Sequence, residues 1–284
     1  MQRFYPFLFV FLWSTGFIGA KFGLPHAEPL SFLLVRYGFV IALMTAIALA
    51  SRAPWPREPR QWLHIGVSGI LVHAVYLGGV FSAIKAGLPA GVTSLVVGMQ
   101  PLLTALGAGW FLKEKVSGRQ WAGLLLGLIG VALVVSGKLG EGAGLGPMLM
   151  PALLALIGIT AGTLYQKRFC ARFDLRTGSV IQFVPSAVLT AVFIACFEDF
   201  RIEWTPQFAF ALAWLVLVLS IGAIGLLNLL IRSGSAVNVA SLFYLTPPTT
   251  ALIAWGAFGE TLAAPALAGM ALAVSGVYLV ARPK

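Results

Sequence analysis

The sequence predicts an all-α polytopic membrane protein with ten transmembrane helices, built as two five-helix repeats of opposite orientation. Three observations lead to this prediction: the composition, the spacing of the apolar stretches and an internal repeat. Of the 284 residues, 59% are hydrophobic and 10% are charged, whereas a soluble domain carries about 25% charged residues. The solvent for most of the chain is therefore lipid.

Ten apolar stretches are long enough to cross about 30 Å of hydrocarbon at about 1.5 Å per residue. The first follows Arg3 like a signal peptide, but it lacks a small-residue cleavage site and has a partner in the repeat, so we interpret it as a helix. The loops are too short for a separate soluble domain. The ten stretches lie near residues 4–22, 30–50, 62–84, 90–112, 119–137, 148–166, 177–197, 207–230, 237–258 and 264–281.

The lysines and arginines are distributed unequally between the two sides of the membrane. One side receives both termini and the loops after spans two, four, six and eight, and it carries fourteen of the 19 basic residues. Arg36 lies inside span two, and the other side carries only Lys21, Lys85, Lys138 and Arg201. The positive-inside rule places both termini in the cytoplasm. The net charge of +10 is therefore a topology signal, and no nucleic-acid partner is predicted.

The chain also aligns with itself after a shift of 146–147 residues. The KAG at 85–87 meets the RSG at 232–234, and Pro101 meets Pro248. A repeat with an odd number of spans delivers its successor to the membrane upside down. Inverted repeats are the architecture that secondary transporters use for alternating access. A duplication that merely enlarges a helix bundle is the structural alternative.

Two long stretches resemble a known family. MQPLLTALGAGWFLKEKVSGRQWAGLLLGLIGVALV in the first half and TPPTTALIAWGAFGETLAAPALAGMALAVSGVYLV in the second resemble the EamA family of the drug/metabolite transporter superfamily. The resemblance covers essentially the whole chain. It implies repeats over 1–141 and 142–284, a central cavity between them, and a multi-pass protein of the bacterial inner membrane. Within the family, HAVYLGG at 73–79 is most similar to aromatic amino-acid exporters.

Each repeat places proline inside an apolar helix: Pro101 in the first copy, Pro247 and Pro248 in the second. A mid-helix proline lacks an N–H and clashes with the carbonyl four residues earlier. In lipid, the freed carbonyls are tolerated where the helix lines a wet cavity. We therefore predict kinked helices that bend during gating and face the substrate. The alternative is a kink that serves only helix packing.

The predicted membrane interior is sparsely polar, and all nine acidic residues fall at predicted helix ends or in loops. His73 and Tyr76 are three residues apart on span three and are predicted to share one face, pointing into a cavity shared with spans four and nine. A packing role is the alternative for each candidate, and for His73 it is a neutral imidazole that bridges two helices. The other candidate substrate-binding residues are Trp13, Thr15, Met99, Gln100, Tyr165, Asn228, Tyr244 and Thr246.

Three further features receive structural interpretations. Arg36 is expected to snorkel or to bond helix-end carbonyls. The GxxxG of Gly123 and Gly127 is expected to pack helices within the bundle, with dimerisation as the alternative, so a monomer is favoured. Cys170 and Cys196 offer neither a metal cluster nor a disulfide framework.

A cavity with aromatic rings, amides and one histidine, but no carboxylate, suits a small neutral or zwitterionic solute with an apolar side chain. The resemblance implies the same class, namely export of aromatic and other hydrophobic amino acids by alternating access, without a cofactor. The alternatives are an exporter of a sugar derivative or a purine, or a proton-coupled drug exporter. A membrane-embedded lipid enzyme would need clustered acid–base or metal ligands, and the three histidines are scattered at 26, 64 and 73. No catalytic or metal-binding residue is therefore predicted.

Overall fold

The computed structural model describes residues 4–88, 90–136, 146–170, 173–258 and 263–282. In these parts the chain forms ten successive apolar helices, which confirms the predicted fold class; the predicted repeat boundary at 141/142 lies outside the described residues. The helices are α1 (Tyr5–Gly23), α2 (Pro29–Ala50), α3 (Pro59–Lys85), α4 (90–112), α5 (Gly118–Val135), α6 (Gly146–Phe169), α7 (Leu175–Phe197), α8 (Pro206–Ser233), α9 (236–258) and α10 (Ala264–Ala281).

The helices have the length and surface of membrane spans. Eight are long and apolar enough to cross a bilayer, while α1 and α5 contain shorter apolar stretches, Tyr5–Gly16 and Gly118–Val134. Large apolar side chains such as Phe7 and Phe11 are exposed on the outside of the bundle. In water such an apolar surface would promote aggregation. In a bilayer it contacts lipid chains that are equally apolar. The chain is a multi-pass membrane protein.

The packing of the helices repeats between the two halves. Helix α2 packs against α7, and α5 packs against α10. In both pairs a helix contacts its own counterpart from the other repeat. In addition, α3 packs against α6 as α1 packs against α8, and α4 packs against α6 as α9 packs against α1. Exchanging each helix for its counterpart leaves the first two contacts unchanged and converts each of the others into its partner contact. Since each half has five helices, the counterparts run in opposite directions, as in an inverted repeat.

Acidic side chains complete some helix starts, where backbone N–H groups lack partners within the helix. Both carboxylate oxygens of Glu114 accept from the N–H of Ala236 at the start of α9, at 3.3 and 3.2 Å. Glu198 accepts from the N–H groups of Leu30 and Ser31 at the start of α2, at 3.0–3.2 Å. The negative charges also suit the positive ends of the helix dipoles. The predicted counterpart of Glu114, Glu260, lies outside the described residues.

Besides the π-helical segment Ala108–Leu112 at the end of α4, two helices contain π-helical segments at equivalent places in the repeats. These segments are Ile70–Leu77 in α3 and Leu215–Ala223 in α8. In a π-helix the backbone bonds run from i to i+5, and such segments are rare and frequent at functional sites. The wider turn changes which side chains share a face. It also places the middle of α3 and α8 out of register with an ordinary α-helix.

Helices α4 and α9 are interrupted in the middle. In α4 the break falls between Ala90–Val97 and Gln100–Gly107, and in α9 a 3₁₀ segment, Leu242–Leu245, precedes Thr246–Phe258. Proline lacks an N–H, and the first turn of a helix does not need one. The three prolines, Pro101, Pro247 and Pro248, therefore lie in the first turn after each break, and not inside a continuous helix as the sequence suggested.

Candidate functional site

The candidate site lies between the two repeats and is described from one end of the bundle. We call this end the basic face, defined as the end at which α2, α4, α6 and α8 finish. Along their halves nearest the basic face, α4 and α9 pack against each other, through Gln100–Gly107 and Ala236–Ser241. Their other halves separate, and residues 90–97 pack against α6 while Thr246–Phe258 packs against α1.

A buried amide cluster lies in the third of the bundle nearest the basic face. Gln166 Nε2 donates to Asn228 Oδ1 at 2.8 Å, and Asn228 Nδ2 donates to Gln182 Oε1 at 3.4 Å. Gln182 Nε2 donates to Ser68 Oγ at 3.1 Å. All four side chains are buried, and they join α6, α7 and α8 of the second repeat to α3 of the first. Of the predicted site residues, only Asn228 belongs to this cluster.

Four predicted residues surround the breaks in α4 and α9. Gln100 Nε2 is 3.5 Å from Thr163 Oγ1, and the side chains of Gln100, Tyr244 and Thr246 are buried. Within the described part of the chain, Gln100 Oε1, the Tyr244 hydroxyl and Thr246 Oγ1 have no hydrogen-bond partner. Met99 is 40% exposed. The breaks therefore bring unpaired polar atoms from both repeats into the interior, where each has a desolvation cost.

An aromatic group links α1, α3 and α9 at the centre of the bundle. The rings of Trp13 and Tyr76 are nearly parallel, at 14° with centroids 6.2 Å apart. Phe243 meets Trp13 edge-on at 5.1 Å, and Phe9 lies 5.2 Å from Trp13. Because these rings come from both repeats, a movement of one half against the other changes the space between them.

His73 and Tyr76 are three residues apart, but their rings pack against different partners, and Tyr76 stacks on Trp13. The ring of His73 stacks on Phe183 of α7 at 4.0 Å and 13°, and the backbone carbonyl of His73 accepts from the Tyr37 hydroxyl at 2.8 Å. The side chain therefore points toward α2 and α7, and not toward a cavity shared with α4 and α9. The π-helical turn over Ile70–Leu77 explains the difference, because the shared-face argument assumed α-helical geometry.

Arg36 of α2 is fully buried near His73 and Tyr76. Its Nε donates to Ser220 Oγ at 2.9 Å, and the guanidinium is within electrostatic range of Tyr76 and His73. The expected snorkelling does not occur, since the side chain is 0% exposed. The sequence did not identify Ser220 as a partner. The internal repeat could have indicated Ser220, because a shift of 147 residues aligns it with His73, which was already a candidate site residue.

Two predicted residues lie away from this centre. Thr15 Oγ1 accepts from the indole N–H of Trp214 at 3.1 Å, which places Thr15 in the contact between α1 and α8. The Tyr165 hydroxyl is 2.7 Å from His64 Nδ1 at the basic face. The structure therefore places Tyr76 and His73 within electrostatic range of Arg36 and stacks Trp13 on Tyr76, with Thr15 and Tyr165 outside this group.

The described residues contain no cluster of metal-binding side chains, and the thiol of Cys170 is buried. In those residues no three His, Cys, Asp or Glu side chains come together as metal ligands. Cys170, just beyond α6, is buried, and burial raises the pKa of its thiol to about 11. At neutral pH this thiol stays protonated and a poor nucleophile.

Comparison with known proteins shows which protein family the chain resembles over its whole length. Residues 4–136 and 146–282 each match the EamA-like transporter family. A "Probable amino-acid metabolite efflux pump" of Salmonella typhimurium is 28% identical over 97% of this chain and 93% of its own length. The "Uncharacterized inner membrane transporter YedA" of Escherichia coli K12 is 26% identical over 96% of this chain and 88% of its own.

A solved crystal structure shares the fold. It is 23% identical and covers 99% of this chain and 96% of its own length, with a TM-score of 0.79. At this identity the likeness concerns the fold alone. The two family matches, by contrast, include nearly every residue of the chain. The chain therefore belongs to the EamA-like transporter family, and it is a membrane transporter and not an enzyme.

Proposed function

We propose that the protein exports amino acids with aromatic or other hydrophobic side chains by alternating access. The observation that carries this proposal is the chemistry of the described interior between the repeats. It combines the stacked rings of Trp13 and Tyr76, a buried amide cluster and a single cation, Arg36. Every described carboxylate lies at a helix end or in a loop. This environment suits a small solute that has an apolar side chain and no net charge.

The relatives support the substrate class. Proteins from Salmonella typhimurium and Escherichia coli K12 with the name "Probable amino-acid metabolite efflux pump" are 28% and 26% identical to this chain. The narrower resemblance to the aromatic amino-acid exporter YddG rests on HAVYLGG at 73–79. Export follows from the efflux activity in those names, since a symmetrical carrier has no intrinsic direction. A sugar derivative or a purine is the second candidate substrate, because the amide cluster around Gln182 offers donors and acceptors.

The substrate is expected to move by facilitated diffusion without proton coupling. Of the described central side chains, His73 is the one of a type that exchanges protons near neutral pH, and a charged imidazole is disfavoured in the membrane interior, stacked on Phe183 and near a buried arginine. In liposomes loaded with a panel of amino acids, L-phenylalanine and L-leucine should equilibrate, and an imposed pH gradient should not make them accumulate. His73→Phe keeps the ring stack and removes the nitrogens, and it should behave in the same way toward the gradient.

Two results would contradict this mechanism. Accumulation that collapses with a protonophore and disappears in His73→Phe would identify a histidine-coupled antiporter. Equilibration of sugars or purines, with none of the amino acids, would replace the substrate class. Empty liposomes and liposomes with heat-inactivated protein are the controls.

We further propose that the basic face is the cytoplasmic side of a bacterial inner membrane, with both termini there. Arg57 and Arg201 are exposed at opposite ends of the bundle. In a chain with Cys170→Ser and Cys196→Ser, a membrane-impermeant maleimide should label Arg201→Cys in spheroplasts. Arg57→Cys should react only after permeabilisation. Labelling of Arg57→Cys in sealed spheroplasts would reverse the orientation.

A monomer is the proposed functional unit, because the described GxxxG stripe is used within the chain. A Cβ at Gly123 would lie 2.6 Å from the carbonyl oxygen of Gly276. A Cβ at Gly127 would overlap the ring of Tyr244. These small residues therefore hold α5 against α10 and α9, and they are not available to a second copy.

A further inference from the structure

Arg36 is a buried cation whose described surroundings do not satisfy it. The side chain is 0% exposed, and one nitrogen, Nε, donates to Ser220 Oγ at 2.9 Å. The two terminal nitrogens have no hydrogen-bond partner in the described part of the chain. An arginine remains charged in proteins. Two terminal nitrogens in fork geometry, both unpaired, are the groups that bind a carboxylate with two parallel hydrogen bonds.

No protein carboxylate in the described spans offers the missing counter-charge. The described acidic residues lie at helix ends or in loops, where Glu114 and Glu198 cap other helices. The groups in electrostatic range of Arg36 are the tyrosines Tyr37 and Tyr76 and the imidazole of His73. A buried charge is stable only when it is paired. The environment therefore favours an anionic group that is supplied by a ligand.

The repeat shows that this position differs from its counterpart. A shift of 146 residues places Gln182 on Arg36, and a shift of 147 places His73 on Ser220. The Gln182 side chain lies near His73, just as Arg36 lies near Ser220. The ring nitrogens of His73 do not reach full hydrogen-bond geometry with any described residue. In the second repeat the amide of Gln182 is hydrogen-bonded within the amide cluster. At the equivalent position of the first repeat, the terminal nitrogens of Arg36 have no hydrogen-bond partner among the described residues.

We propose that Arg36, held in orientation by Ser220, binds the carboxylate of the transported solute. This inference rests on the proposed amino-acid export and specifies how the backbone end of the substrate is recognised. A single cation matches a single carboxylate, which agrees with a zwitterionic substrate. Tyr76 is within electrostatic range of Arg36 and stacks with Trp13, so these two rings offer π-faces for the substrate ammonium or for its apolar side chain.

The test compares one ligand that lacks the carboxylate with two that carry it, one of them without the ammonium. The probes are L-phenylalanine, L-phenylalaninamide and 3-phenylpropionate, and binding to the purified full chain in nanodiscs is measured by calorimetry. The wild type should bind L-phenylalanine and 3-phenylpropionate about 10- to 100-fold more tightly than the amide, as expected for charge-assisted hydrogen bonds. Arg36→Gln should abolish this difference without changing the affinity for the amide. Arg36→Lys should retain part of it, since it keeps the charge but not the fork.

Arg60→Gln is the matched control, because Arg60 is exposed at the start of α3 and its loss should leave all three affinities as in the wild type. Equal affinities of the wild type for phenylalanine and its amide would overturn the proposal, even if Arg36→Gln fails to fold. Amino-acid transport with unchanged affinity in Arg36→Gln would overturn it and leave the proposed function intact. Arg36-dependent binding of 3-phenylpropionate by a protein that transports no amino acid would support the carboxylate site and refute the proposed function.

Discussion

Replacing Gly276 with alanine is expected to separate α5 from α10 and to lower the thermal stability of the protein. A Cβ at Gly276 would lie 2.5 Å from the carbonyl oxygen of Gly123 and 2.6 Å from the backbone nitrogen of Gly127. Both neighbours are backbone atoms, so no side chain can rotate away. Overpacking of this kind costs about 1–3 kcal/mol. A loss of this size lowers the melting temperature of a larger domain by about 2–12 °C.

The matched control is Gly38→Ala. Gly38 lies in the middle of α2, and a Cβ there would meet nothing within 4 Å. Alanine is also the better helix former, by about 1 kcal/mol, so this variant should melt at or above the wild-type temperature. Both variants are measured in the same detergent, by the temperature at which the monodisperse size-exclusion peak disappears. An unchanged melting temperature in Gly276→Ala, with conversion of a dimer into a monomer, would show that the stripe joins two copies.

The helix count and the repeat could be predicted because they depend on averages and on order along the chain. Hydropathy reports whether about 20 residues cross hydrocarbon, whatever their neighbours are. The repeat followed from single residues that recur at a fixed distance, such as Pro101 and Pro248. Neither argument requires knowledge of which side chains touch. The small-residue stripe on α5 was likewise recognisable, since close helix approach needs residues without bulk.

The arrangement of the site could be predicted only in part, because it depends on local helix geometry and on contacts between distant spans. The shared face of His73 and Tyr76 assumed an α-helix, and the π-helical segment Ile70–Leu77 turns the two side chains toward different neighbours. Thr15 lies 199 positions before Trp214, its hydrogen-bond partner, and no local pattern indicates such a pair. Arg36 was recognised as an intramembrane cation, but its fork without a partner is visible only in three dimensions.

Removing the indole of Trp13 is expected to reduce transport and to weaken the preference for aromatic substrates. Trp13 is 4% exposed, and its ring contacts Tyr76 of α3 and Phe243 of α9. Favourable aromatic geometry is worth about 0.5–1.5 kcal/mol beyond burial, which corresponds to about 2- to 10-fold in affinity. Trp13→Ala should therefore weaken L-phenylalanine binding relative to L-leucine by about this factor, and should lower the initial rate of exchange for both.

The matched control is Phe11→Ala, which removes an aromatic ring two residues away on the same helix. Phe11 is 51% exposed on the outside of the bundle, so its loss should leave both rates and their ratio unchanged. The ratio separates recognition from stability, because a partly unfolded carrier loses phenylalanine and leucine exchange to the same extent. Tyr76→Phe keeps the ring beside Trp13 and should preserve the ratio. An equal loss for both substrates in Trp13→Ala, or a shifted ratio in Phe11→Ala, would remove Trp13 from the site and make its contacts purely structural.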